Sequence, residues 1–105
     1  MNDPQWVEAA RKLAERAVKA APQAQVRLDF LARATIARPL AAREAKVLLG
    51  AAETFRTKFA ADADSVKALL ASGESKPDES LAAAEIAQWT LVASQFLNLD
   101  EFLTK

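Results

Sequence analysis

The sequence predicts an all-α fold: a compact bundle of four main helices plus one short connecting helix, with no β-sheet. The strong helix formers Ala, Leu, Glu, Lys and Arg dominate a chain that has only two glycines. Apolar residues recur at spacings of three and four, and no segment alternates with the period of two that a half-buried strand requires. Prolines and one loop-like segment divide this pattern into pieces of helix length.

The first helix is predicted over residues 4–20. Proline suits its first position, where a missing N–H costs nothing, and Pro22 marks its end. Acids stand four residues before cations in the pairs Glu8–Lys12 and Glu15–Lys19. Such pairs are typical of an exposed helix face.

The second helix carries a wide apolar face and is predicted to end near Ala37. Pro39 disfavours helical geometry in the residue before it. The third helix should begin at about 40–41, and apolar residues then step along it to Phe59 with the most regular spacing in the chain. A short helix over 63–72 should follow, capped by an aspartate at position 62 or 64.

The segment 72–80 is rich in Ser, Gly, Pro and acids, and it is predicted to be a loop. The run 86–97 that follows is apolar on nearly every side, which is typical of a helix surrounded by others. Trp89 lies in this run and is expected in the core, and Trp6 is expected to pack against this helix or the C-terminus. One buried cluster is expected to contain Leu48, Phe55, Phe59, Leu91, Val92 and Phe96.

The charge of the chain is divided unevenly although it sums to zero. Residues 1–58 hold eleven Lys/Arg and six Asp/Glu, a balance of +5, and residues 59–105 hold three and eight, a balance of −5. Acids interrupt the basic half and no aromatic stacking platform accompanies it, so we expect no nucleic-acid partner. The two halves are instead expected to pack against each other.

No catalytic, cofactor or metal site is predicted. The chain contains no His and no Cys, which excludes thiolate metal sites, disulfides and haem attachment through Cys-x-x-Cys-His. A run that begins at Asp62 resembles a calcium loop, but its fifth position is Val66 and its twelfth is Gly73. No apolar run approaches the ~18–20 residues of a membrane span, and the N-terminus lacks a signal-peptide core. We therefore expect no membrane span and no export signal in this chain.

The C-terminal segment 97–105 keeps several large apolar side chains, which is unusual for a chain end. We expect it to form a separate, side-chain-capped helical turn that folds Leu99, Phe102 and Leu103 inward and closes the bundle as a latch. Its acids would pair with arginines of the second helix. The candidate latch and ion-pair residues are Asn98, Asp100, Glu101, Arg27 and Arg38. The alternative, in which the preceding helix continues to Leu103, remains open.

Four stretches carry a family resemblance: "NDPQWVEAARKLAERAV", "RLDFLARATIARP", "ASGES" and "AEIAQWTLVASQFLNLDEFLTK". In this order they resemble the uncharacterised helical C-terminal domain of large planctomycete-type exported proteins, which carry a cytochrome-c-like domain near their N-terminus. The resemblance implies a helical fold and a parent protein that is exported, either to the periplasm or to the cell surface. It implies that this chain, residues 1–105, is a single domain of a longer protein. It implies no reaction.

Three functions are consistent with these features. The first is a non-catalytic structural or interaction domain that docks other domains of a parent protein or another protein. The second is an accessory domain that completes a substrate-binding or catalytic site in the parent, for instance on a polysaccharide; a basic cleft using Arg27, Arg33 or Arg38 would favour it. The third is a free-standing helical regulator. Arginines paired within the domain would favour the first function, and this is the function we expect. We expect the chain to be a monomer or weak homodimer that binds no cofactor.

Overall fold

The computed structural model describes residues 4–104, of which 100–104 are described by their backbone alone. Within this range the chain forms five α-helices and no strand, which confirms the predicted all-α bundle. The helices are α1 (Pro4–Ala20), α2 (Ala24–Thr35), α3 (Ala42–Ala61), α4 (Ala63–Leu70) and α5 (Ala83–Thr104).

The second helix ends two residues before the predicted boundary. The carbonyl of Ala32 accepts hydrogen bonds from the N–H groups of Ile36, at 2.9 Å, and Ala37, at 3.0 Å. Ala37 has a φ of 57°, in the left-handed region that commonly terminates helices. The chain therefore leaves the helix at Thr35, ahead of Pro39.

A single aspartate separates α3 from α4. The carboxylate of Asp62 accepts a hydrogen bond from the N–H of Ser65 at 3.0 Å, which satisfies one of the free donors at the start of α4. Of the two capping candidates, Asp62 is therefore the one used. The short helix ends at Leu70, two residues before the predicted end.

The last helix lies in the middle of the bundle, as predicted. It contacts all four other helices, α1 most extensively. The five consecutive residues 86–90 are all buried, and Trp89 is 1% exposed. Trp6 packs against the same helix and its indole N–H donates to the hydroxyl of Ser94 at 3.1 Å. Both tryptophan predictions are confirmed.

The core has two clusters rather than the single one predicted. The larger lies between α1, α2, α3 and α5 and includes Leu48, Val92 and Phe96, whereas Phe59 belongs to a smaller cluster with α4. Half-buried Phe55 contacts both clusters. The physical reason is length: twenty residues of α3 span about 30 Å, so its two ends pack against different neighbours.

The basic and acidic halves pack together, as predicted. Lys19 of α1 lies 2.5 Å from the carboxylate of Asp78, and Arg27 of α2 lies 3.0 Å from that of Glu85. Each of these ion pairs joins a cation of the first half to an acid of the second. The charge asymmetry is therefore neutralised, at least in part, within the domain.

Candidate functional site

Arg27, one of the predicted latch partners, is already engaged inside the bundle. Its guanidinium donates to Glu85 at 3.0 Å and to the carbonyl of Ala21 at 2.5 Å, and it lies 5.4 Å from the centre of the Trp89 ring. The side chain is buried. These contacts tie α2 to α5, so the cation of Arg27 has a structural use within the domain.

Arg38, the second predicted partner, is paired with an acid at the start of α3. Its two terminal nitrogens each donate to a carboxylate oxygen of Glu44 at 2.8 Å. Glu44 also accepts from the backbone N–H of Ala41 at 2.8 Å. Because Ala41 has no side-chain acceptor, Glu44 supplies this half of the helix cap alone. The hydrogen bonds from Arg38 and Ala41 lower the pKa of Glu44 to about 2.

The predicted latch is not formed. Helix α5 is continuous from Ala83 to Thr104, so Asn98 lies within a helix and does not cap a new one, and Leu99 is 41% exposed. The alternative of a helix that continues through Leu103 is correct. No Gly or Pro occurs between positions 83 and 104, so nothing in the local sequence interrupts the helix. The side chains of Asp100 and Glu101, with their predicted ion pairs, lie outside the described residues. So do those of Phe102 and Leu103, with their predicted burial.

An open groove separates the first half of α3 from the last part of α5. Its volume is about 630 Å³. It is lined by Leu40, Arg43, Glu44, Val47 and Leu48 on one side and by Gln95, Asn98 and Leu99 on the other. The described residues include three exposed large apolar side chains, and two of them, Val47 (66% exposed) and Leu99, line this groove. Clustered exposed apolar side chains are typical of interaction sites.

Among the described side chains that line this groove, Arg43 is the one charge without a partner. Glu44 is neutralised by Arg38, as described above. Arg43 lines the groove, and Lys46 lies one turn further along α3; both side chains are exposed. Neither makes a hydrogen bond or an ion pair with any other side chain that the structure describes. Arg43 on the groove wall and Lys46 beside it are therefore cations without a partner among the side chains that the structure describes, which do not include those of the acids at 100–101.

A second polar cluster joins α1 to the loop 72–80. Arg11 is 1% exposed and donates to the carboxylate of Glu15 at 2.9 Å. It also donates to the Ser75 carbonyl at 3.0 Å, the Ser75 hydroxyl at 2.6 Å and the Lys76 carbonyl at 3.3 Å. Its Nε is the one buried side-chain polar atom in the described residues without a partner. Arg11 was not identified from the sequence, because an arginine in an amphipathic helix resembles a solvent-exposed residue.

The acids of α1 belong to this second cluster. Glu8 accepts from the N–H of Ser75 at 2.6 Å and from its hydroxyl, and these two bonds lower the pKa of Glu8 to about 2. Glu15 accepts from the N–H of Asp78 at 2.7 Å. The prediction that Glu8 and Glu15 lie on a solvent-exposed face is wrong, because both are turned towards the loop. Apart from the Arg11 Nε, the buried hydrogen-bonding atoms of this cluster find their partners within the chain.

The groove could have been inferred from one sequence signal. Val47, Leu48 and Leu49 are consecutive, and three consecutive positions of a helix cannot all face one core. In the structure Leu48 is buried, Leu49 is half-buried and Val47 is exposed. The third apolar side chain of such a run indicates a second apolar surface.

The described residues contain no group of three or more His, Cys, Asp or Glu that could hold a metal ion. None of the helices, over the part of the chain that the structure describes, is both long and apolar enough to cross a membrane.

Comparisons with protein-family models, with curated proteins and with solved structures gave no match. The function must therefore be inferred from the geometry of the chain itself.

Proposed function

We propose that this chain is a non-catalytic interaction domain that binds a protein segment through the groove between α3 and α5. The segment belongs to another domain of a longer, exported parent protein or to a separate protein. The observation that carries the proposal is the pair of exposed apolar side chains, Val47 and Leu99, that line one open groove. An interaction domain needs such a surface, whereas a domain that only caps a larger protein does not need a groove.

The arginines support this function over that of an accessory domain for a substrate. A substrate-binding cleft built on Arg27, Arg33 and Arg38 would need their donors to converge on one ligand. Arg27 is buried and bonded to Glu85, and Arg38 is bonded to Glu44. Two of the three cations are thus committed within the domain.

The groove is also held in place by the core. Leu48 forms part of its wall and belongs to the larger buried cluster, together with Phe96 from α5. Both walls are therefore regular helices fixed by packing. A partner that binds a preformed groove loses less conformational entropy on the domain side than one that must order a loop.

A peptide library tests the proposal. Displayed peptides would be selected on the wild-type chain, and the dissociation constants of the recovered peptides measured by fluorescence anisotropy. Val47→Glu places a charge in the groove and should weaken binding at least tenfold, which corresponds to about 1.4 kcal/mol. The matched control is Val26→Glu, because Val26 is a similarly exposed valine (45%) on α2 that does not line the groove.

Circular dichroism would establish that both variants are folded, which is expected since both valines are exposed. Peptides that bind the wild type and Val26→Glu equally but lose affinity for Val47→Glu would support the proposal. Recovered peptides that bind Val47→Glu as tightly as the wild type would refute it.

A further inference from the structure

The shape of the groove favours an elongated partner. It runs between two packed helices and is open to solvent rather than enclosed. A groove between two helices is the surface on which a third helix packs, with its side chains between the ridges of the other two. The helical part of the α3 wall, from Arg43 to Leu48, rises about 7.5 Å at 1.5 Å per residue, and Leu40 precedes the helix. An amphipathic helix that presents apolar side chains at positions i and i+4 spaces them about 6 Å apart, which fits along this wall.

The charge of the described part of the rim favours an acidic partner. Arg43 lines the groove and Lys46 lies beside it on α3, both unpaired among the described side chains. Glu44, the acid in the groove lining, is held by Arg38. A partner with carboxylates beside its apolar stripe would complement this rim, whereas one with Lys or Arg there would be repelled.

Resting on the proposed function, we infer that the partner is an amphipathic α-helix whose apolar stripe is flanked by acidic side chains. The stripe contacts Val47, Leu48 and Leu99, and the acids pair with Arg43 and Lys46. A second copy of this chain is a poorer occupant. A symmetric dimer through this face would use the same patch on both subunits and bring the two basic rims towards each other.

The charge inference is tested with two synthetic helical peptides. Both carry leucines at i, i+4 and i+7; one has glutamates flanking this stripe and the other has lysines at the same positions. Anisotropy titrations on the full chain at low salt should show the acidic peptide binding about tenfold more tightly, as two exposed ion pairs can supply. The difference should shrink at about 1 M salt, where the Debye length falls to roughly 3 Å.

Variants of the rim provide the matched control. Arg43→Glu with Lys46→Glu should reverse the preference in favour of the basic peptide. The control, Lys67→Glu with Lys76→Glu, changes the net charge by the same amount at exposed lysines that do not line the groove. It should leave the preference for the acidic peptide unchanged. Val47→Glu should weaken both peptides.

The outcomes separate this inference from the function on which it rests. If both peptides bind the wild type equally and both are lost in Val47→Glu, the groove binds helices but the inferred charge is wrong. If neither peptide binds while library peptides still depend on Val47, the groove binds segments of another kind and the inference fails alone. A dimer that sedimentation detects and that Val47→Glu dissociates would replace the helix with a second copy. Binding of phosphatidylserine vesicles, without peptide binding, would replace it with a membrane.

Discussion

Two regions of this molecule use arginines in opposite ways. At the contact between α1 and the loop 72–80, Arg11 is buried and bonded to Glu15 and to both the carbonyl and the hydroxyl of Ser75. At the groove between α3 and α5, Arg43 is exposed and has no partner among the described side chains. In the first region every described buried side-chain polar atom except the Arg11 Nε has a partner within the chain, whereas the second presents donors and apolar surface that no other described side chain covers.

This difference shows how a charged residue can be assigned to structure or to binding. A buried cation is tolerated only when acceptors surround it, so the loop 72–80 must hold its carbonyls in fixed positions for Arg11. An exposed cation needs no such partner. A basic residue beside exposed apolar side chains is therefore a better candidate for recognition than one inside a hydrogen-bond network.

The largest effect is expected from removing core volume, and it contrasts the buried core with the groove. Phe96 is completely buried in the larger cluster, so Phe96→Ala should lower the free energy of unfolding by roughly 3–5 kcal/mol. Val47→Ala should change it by less than about 0.5 kcal/mol, because that side chain is mostly exposed. Urea denaturation measures both. A comparable loss for the two variants would show that Val47 belongs to the core.

The next effect compares the two arginines directly. Arg11→Met keeps the length of the side chain but removes the arginine donor from Glu15 and from the Ser75 carbonyl. Glu15 then keeps the N–H of Asp78 as its one described hydrogen-bond donor. The loss in unfolding free energy should be about 3 kcal/mol, at the low end for a broken buried pair because Glu15 keeps some solvent contact. Arg43→Met should change stability by less than about 0.5 kcal/mol. If Arg11→Met were as stable as the wild type, the network around Arg11 would contribute nothing to the fold.

The two glycines extend the comparison to the backbone. Gly73 has a φ of +89°, and a Cβ there would lie 2.6 Å from the Cβ of Glu8, so Gly73→Ala should cost at least about 1 kcal/mol. Gly50 lies in α3, and a Cβ added there would have no neighbouring atom within 4 Å, so Gly50→Ala should stabilise the domain by about 0.5–1 kcal/mol. Thermal melts would show opposite shifts. Shifts of the same sign would contradict the close approach of the loop to α1.

The smallest effect concerns two acids whose pKa values are lowered from 4.5 to about 2, Glu8 in the cluster around Arg11 and Glu44 at the groove. An acid whose pKa is lower in the folded state stabilises that state at pH values above its unfolded-state pKa. This contribution is lost as the pH falls from about 4.5 towards 2. The melting-temperature differences of Glu8→Gln and Glu44→Gln from the wild type should therefore narrow over this range. At neutral pH, about 1 M salt should reduce the melting-temperature difference of Glu44→Gln more than that of Glu8→Gln, because the ion pair between Glu44 and Arg38 is exposed. Equal salt responses would show that the two acids do not differ in their surroundings.

Much of the fold could be predicted from local patterns. The bounds of α1, the break near Asp62, the loop 72–80 and the central position of the last helix all follow from periodicity, proline and capping chemistry. The candidate site could not be predicted in the same way. The proposed latch at Asn98 was wrong because the helix-forming residues around it continue α5, and a weak local capping signal does not interrupt a long helix.

The sequence alone determined that this chain is an α-helical bundle, since helix formation depends on neighbours within one or two turns. Only the tertiary structure decided which face of each helix meets another element. It turned Glu8 and Glu15 towards the loop, divided the core into two clusters, and left Val47 and Leu99 at the sides of one groove. The physical reason is that burial and ion pairing depend on residues far apart in the chain, such as Arg11 and Ser75 or Leu40 and Leu99. Their approach is set by how the helices pack rather than by the local pattern of any one helix.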